Sequence, residues 1–189
     1  MYKLFCLLLI SCLSSYVYGA DFVKGYIVMP AGDTVFCQIK ISGSKATNYT
    51  RVTINTTEGE EITYSAKDGE VKAYGIFVGS IRSDYTYFEL KPKVESRFYK
   101  LLINGPKYKL YYIIETADMG SVVASSPKYV LVNNKGEFNF FGTCALCGWR
   151  KRIEALVADD AFALEKLPDL KIKEVVAYIN SINNTNPTN

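Results

Sequence analysis

Between Phe22 and Phe141, apolar and β-branched side chains alternate with polar ones in short runs, and each run stops at a cluster of Gly, Pro, Asn or Asp. A period of two over four to eight residues is the mark of a half-buried strand. It predicts strands over 22–29, 34–41, 51–56, 61–65, 70–78, 85–90, 97–103, 107–116, 128–132 and 137–141. The turn signals between them include Pro30-Ala31-Gly32-Asp33, Thr57-Glu58-Gly59-Glu60, Asn104-Gly105-Pro106 and Asn133-Asn134-Lys135-Gly136. In the run from Lys107, Tyr108, Leu110, Tyr112 and Ile114 share one face and Tyr111 and Ile113 the other, so both faces are apolar and the strand is read as central.

After Trp149 the period changes. Trp149, Ile153, Leu156 and Val157 recur at i, i+4, i+7 and i+8, opposite Lys151, Arg152 and Glu154, and Ile172, Val175, Val176, Ile179 and Ile182 repeat the pattern. Both are amphipathic helices. Asp159 and Asp160 are read as capping residues of a short helix through Lys166, and Pro168-Asp169 resets the chain before the last one. The predicted fold is therefore α+β: an antiparallel β-sandwich or barrel-like sheet followed by two to three C-terminal helices.

Ahead of the first strand, Lys3 precedes an apolar run over 4–13 and the small residues Gly19 and Ala20. This order of charge, apolar run and small residues is that of a secretory signal. The run is too short to cross a bilayer, which takes roughly 20 apolar residues, so cleavage after Gly19 or Ala20 is expected. The alternative reading takes Leu9-Ile10-Ser11-Cys12 as a lipobox, with Cys12 as a lipidated N-terminus. The chain then divides into a signal peptide over 1–20, one domain over 21–183 and a disordered tail over 184–189. Within the domain, 21–142 is β-rich and 146–183 helical. No transmembrane span is expected in the mature chain.

Composition narrows the chemistry. The formal charge is +3, Lys3 included, and it is evenly spread, which gives no electrostatic case for nucleic acid. There is no histidine, so Ser-His and Cys-His activation and every His-containing metal site are excluded. No glycine spacing forms a phosphate loop, and no cofactor is expected. Beyond the signal the cysteines are Cys37, Cys144 and Cys147. Cys144-Ala145-Leu146-Cys147 admits a redox reading, since a thiolate at a helix start beside Lys151 and Arg152 is stabilised. The favoured reading is structural: a disulfide within the pair, or from Cys37 to one of the two. Three cysteines fall short of a four-ligand zinc site.

Tyrosine occurs 15 times against one Trp. Strand structure accounts for most of it. An exposed aromatic face for glycan or peptide is the alternative, and it requires the tyrosines to gather on one contiguous surface.

The segment Gly25-Tyr26-Ile27-Val28-Met29-Pro30-Ala31-Gly32-Asp33-Thr34-Val35 resembles the opening of exported β-rich proteins of Bacteroidota, in which a hairpin of this form follows the signal directly. Trp149-Arg150-Lys151-Arg152, Asp159-Asp160, Leu167-Pro168-Asp169 and the last helix are similar to their helical ends. The resemblance implies a periplasmic, outer-membrane-associated or secreted location, brings no agreed activity, and makes Thr34 an O-glycosylation candidate. The expected function is a non-catalytic extracytoplasmic domain that binds an envelope protein or glycan, or is part of the envelope. The alternative is a thiol-disulfide redox protein using Cys144 and Cys147.

Overall fold

The computed structural model describes residues 22–41, 45–91, 95–118, 123–142 and 148–185. Ten strands form one antiparallel sheet: β1 (Phe22–Val28), β2 (Thr34–Lys40), β3 (Arg51–Asn55), β4 (Glu61–Ser65), β5 (Ala73–Val78), β6 (Ile81–Lys91), β7 (Glu95–Asn104), β8 (Tyr108–Asp118), β9 (Val123–Asn133) and β10 (Phe138–Gly142). Their order is β10-β9-β8-β7-β6-β5-β1-β2-β3-β4. The short turns make most sequence neighbours into sheet neighbours. The exception is β1, which pairs with β5 on one side and β2 on the other, so that β2, β3 and β4 extend the sheet in the opposite direction. β8 lies between β7 and β9, as its two apolar faces require.

Among the described residues there are also four helices: α1 (Lys45–Thr50), α2 (Trp149–Leu156), α3 (Ala161–Lys166) and α4 (Val175–Asn183), with a 3-10 turn at Ile172–Glu174 before the last. The period of 3.6 locates α2 and α4 correctly. Trp149, Ile153, Leu156 and Val157 are all buried, as are Val175, Ile179 and Ile182. Asp160 caps α3 by accepting from the Ala163 backbone N–H at 3.1 Å. Asp159 does not share that role. It is exposed and pairs with Lys135 at 2.6 Å, which holds its carboxyl below the usual range.

The register explains why all four helices lie on one face. The pairs Ile39–Ile54, Ile27–Tyr74, Tyr74–Tyr85, Tyr87–Phe98 and Leu110–Leu131 are cross-strand partners. With side chains alternating along each strand, they make a continuous apolar surface across the sheet. Residues of β7 to β10 on this surface, Ile103, Leu110, Leu131 and Phe141, pack against α2, α3 and α4. Tyr49 of α1 packs over the other part.

Although α1 is rooted between β2 and β3, it packs against β7 and β8. β2 and β7 stand about 19 Å apart along a flat sheet at ~4.8 Å per strand, and a helix is only about 10 Å across. The sheet therefore curls around α1. Tyr74 anchors this arrangement: its ring stacks on Tyr85 at 4.5 Å and 4°, meets Phe98 edge-on at 5.1 Å, and its hydroxyl donates to the carbonyl oxygen of Asn48 in α1.

The tyrosines do not form a binding face. Every tyrosine among the described residues is buried or half-buried, and the exposed large apolar side chains are Val35, Phe36, Ile62, Val78, Ile81, Leu102 and Phe138, spread over six strands. Burial pushes the Tyr85 and Tyr108 hydroxyls up to about 12 and raises those of Tyr74 and Tyr178 as well. A free tyrosine ionises near pH 10, so above that pH the unfolded chain loses protons that the folded one keeps. Stability contributed by these groups is complete below pH ~10 and falls as the pH rises toward ~12. Denaturant titrations at stepped alkaline pH should show the midpoint falling together with the appearance of tyrosinate absorbance. A midpoint that holds while tyrosinate forms would mean that the rings ionise without leaving the core.

The first two residues of the expected tail, Asn184 and Thr185, are the last ones described. The Thr185 hydroxyl donates to the Ile182 carbonyl oxygen at 2.8 Å and accepts from Lys107 Nζ at 3.1 Å. The rest of the expected tail, and the signal peptide over 1–20, lie outside the described residues.

Candidate functional site

Of the residues singled out in the sequence, Cys12, Cys144 and Cys147 lie outside the described residues. Cys37 sits on β2, half-buried against the core, with a free thiol. Burial pushes that thiol up, away from the reactive thiolate. Thr34 is the exposed first residue of β2, paired with Val28. Thr34 and Cys37, three residues apart on β2, project from opposite faces of the strand.

On the sheet face opposite α1, β1, β2, β5 and β6 present a different group. Tyr26 pairs with Phe36 on one side and Gly75 on the other, and Gly75 pairs with Asp84. The Tyr26 ring lies over Gly75, where an added Cβ would meet it at 2.2 Å. That contact lets its hydroxyl donate to Asp84 Oδ1 at 2.6 Å, while Arg82 donates to Asp84 at 2.8 Å and to the Tyr26 hydroxyl at 3.0 Å. This group satisfies its own hydrogen bonds.

A cleft of about 310 Å³ opens on the same face at the β2-β3-β4 end. The pairings Thr53–Thr63, Arg51–Ser65 and Asn55–Glu61 put Arg51, Thr53, Glu61 and Thr63 on one side of the sheet. Lys40 of β2 completes that wall, and Ile41, Thr47 and Asn48 form the rim where α1 runs directly into β3. Lys40 Nζ pairs with Glu61 at 3.0 Å, and the Thr53 and Thr63 hydroxyls share a hydrogen bond of 2.8 Å. Among the described residues Arg51 has no carboxylate partner.

The chemistry of this lining is recognition. Hydroxyls, an amide, two cations and one carboxylate supply many donors and acceptors in a small volume, while Ile41 is the one aliphatic contributor. Hydrolysis of a glycoside by paired carboxylates needs two acidic side chains facing each other across about 5 to 10 Å, and the cleft has only Glu61. Among the described residues no group of three or more His, Cys, Asp or Glu side chains could hold a metal ion, and no helix is long and apolar enough to cross a membrane.

No family model, curated protein or solved structure matches this chain. The cleft was not legible in the sequence. Its wall residues are ordinary outward positions on three short strands, and only the register of β2, β3 and β4 brings them together beside the rim from Ile41 and α1. The signal that could have found it is the excess of Thr, Lys and Arg at alternate positions of 40, 51, 53 and 63.

Proposed function

We propose that this chain is a non-catalytic extracytoplasmic binding domain, exported by its N-terminal signal and engaging an envelope glycan or protein through the β2-β3-β4 cleft. The observation that carries this reading is the cleft itself: a polar concavity at the open end of the sheet, with an unpaired guanidinium and no nucleophile held by a base. The curl of the sheet around α1 supports a barrel-like shape, with the cleft on its outer wall. The resemblance of the hairpin over 25–35 and of the helical end to exported Bacteroidota proteins supports the envelope location.

Co-sedimentation of the mature protein with isolated envelope fragments tests this reading. Wild type should be retained, and Thr53→Tyr, which fills the cleft from a strand position that favours aromatics, should lose most of that retention while melting at an unchanged temperature. Equal retention of the two proteins would remove the cleft as the contact.

A further inference from the structure

The lining of the cleft is specific enough to select a ligand class, an inference that rests on the binding role proposed above. We infer that the cleft takes an acidic saccharide unit, with Arg51 receiving its carboxylate and Glu61, Thr53 and Thr63 meeting its hydroxyl groups.

Three features of the wall support the assignment. The first is charge. Lys40 is neutralised by Glu61 at 3.0 Å, which leaves Arg51 as the cation with no carboxylate partner among the described residues. A guanidinium presents its donors in a planar fork that matches a carboxylate two-pronged. The second is the supply of polar groups around that charge. Each threonine hydroxyl has one donor and two acceptor sites, so the 2.8 Å bond between Thr53 and Thr63 leaves capacity on both. Glu61 keeps acceptor sites beyond its bond to Lys40, and Asn48 adds an amide at the rim. A ligand that is hydroxylated around its whole periphery uses these groups, whereas a simple anion uses only Arg51.

The third feature is what the wall lacks. An apolar ligand would need aromatic or aliphatic walls, and Ile41 alone provides one. The volume of about 310 Å³ is at the small end of the range for ligand sites, about 300–1,000 Å³, which suits a short saccharide segment better than a folded partner.

Calorimetric titration of the mature protein with an oligogalacturonate, the matching neutral oligosaccharide and inorganic phosphate tests the assignment. The oligogalacturonate should bind, more weakly as salt is raised, and the neutral sugar and phosphate should bind at least tenfold more weakly. Arg51→Gln should reduce oligogalacturonate affinity about tenfold or more, the scale of a lost charge-assisted hydrogen bond, and Arg51→Lys should fall between. Neither substitution should move the melting temperature, since Arg51 is exposed.

Equal affinity for the neutral sugar, unchanged in Arg51→Gln, would overturn the acidic ligand and leave the cleft as a binding site. Phosphate binding as tight as the oligogalacturonate would overturn the saccharide in favour of a plain anion site. Absence of heat with all three probes would overturn the inference, and the retention experiment on envelope fragments then decides the binding role separately.

Discussion

Asn183→Leu is expected to lower stability by about 3 kcal/mol or more, and with it the melting temperature by about 6–12 °C for a domain of this size. Asn183 is 9% exposed and joins the last helix to the turn between β7 and β8. Its Oδ1 accepts from the backbone N–H groups of Lys107 and Tyr108 at 3.1 and 2.8 Å, and its Nδ2 donates to the carbonyl oxygens of Tyr108 and Ile179 at 3.0 Å each. Leucine has nearly the same shape and none of these groups, so it strands the backbone N–H groups of Lys107 and Tyr108, each costing about 1–3 kcal/mol. Gly105→Ala attacks the same joint from the other side, because a Cβ there would fall 2.1 Å from the Asn183 side chain. Denaturant melts measure both losses. If the joint is the only element affected, amide exchange should accelerate first in α4 and the β7-β8 turn. A leucine variant as stable as wild type would mean that water replaces all four bonds.

Tyr74→Ala is expected to cost about 3–5 kcal/mol, the usual range for deleting a buried aromatic. Tyr74 is 2% exposed and touches three elements: Tyr85 of β6, Phe98 of β7 and the Asn48 carbonyl of α1. Tyr74→Phe separates the terms. It keeps the ring contacts and removes one hydrogen bond, so its cost should be about 1 kcal/mol. Because Asn48 also stands on the rim of the cleft, the phenylalanine variant should weaken ligand binding more than its small loss of stability suggests. Near-equal melting curves for wild type and the alanine variant would show that α1 is not held by this residue.

The contrast between what the sequence disclosed and what it hid follows from the range of the interactions. Each strand declares itself through its own alternation and its own turn, and all ten predicted runs are strands; β6, β7, β8 and β9 extend beyond the predicted ends because pairing partners carry the ladder past the alternating core. The helices α2 and α4 declare themselves through a period of 3.6. The short α1 does not, since six residues over 45–50 make fewer than two turns, and Tyr49 is buried by distant strands rather than by a local stripe.

The order of the strands was likewise hidden. Pairing of β1 with β5 is a contact between residues such as Ile27 and Tyr74, 47 positions apart, and nothing local announces it. The same distance hides the site. Lys40, Arg51 and Thr63 come from three strands, and each reads alone as a solvated surface residue. Tyrosine was legible in kind: strand structure is the favoured account of its abundance, and Tyr74, Tyr85 and Tyr99 are strand residues of the core, though nothing local says which tyrosines are buried. Asn183 shows a third limit, because its sequence context, Asn183-Asn184-Thr185, reads as a glycosylation sequon while its side chain is buried in four backbone hydrogen bonds.

An amide chemical-shift map of the isotopically labelled mature protein, recorded with and without saccharides extracted from the envelope, tests the placement of function most directly. Shifts gathered at Lys40, Asn48, Arg51, Thr53 and Thr63, and absent from the Thr53→Tyr protein, are the expected result. Shifts centred instead on the exposed Phe36 or Phe138, or on Cys144 and Cys147, would contradict the cleft as the functional site.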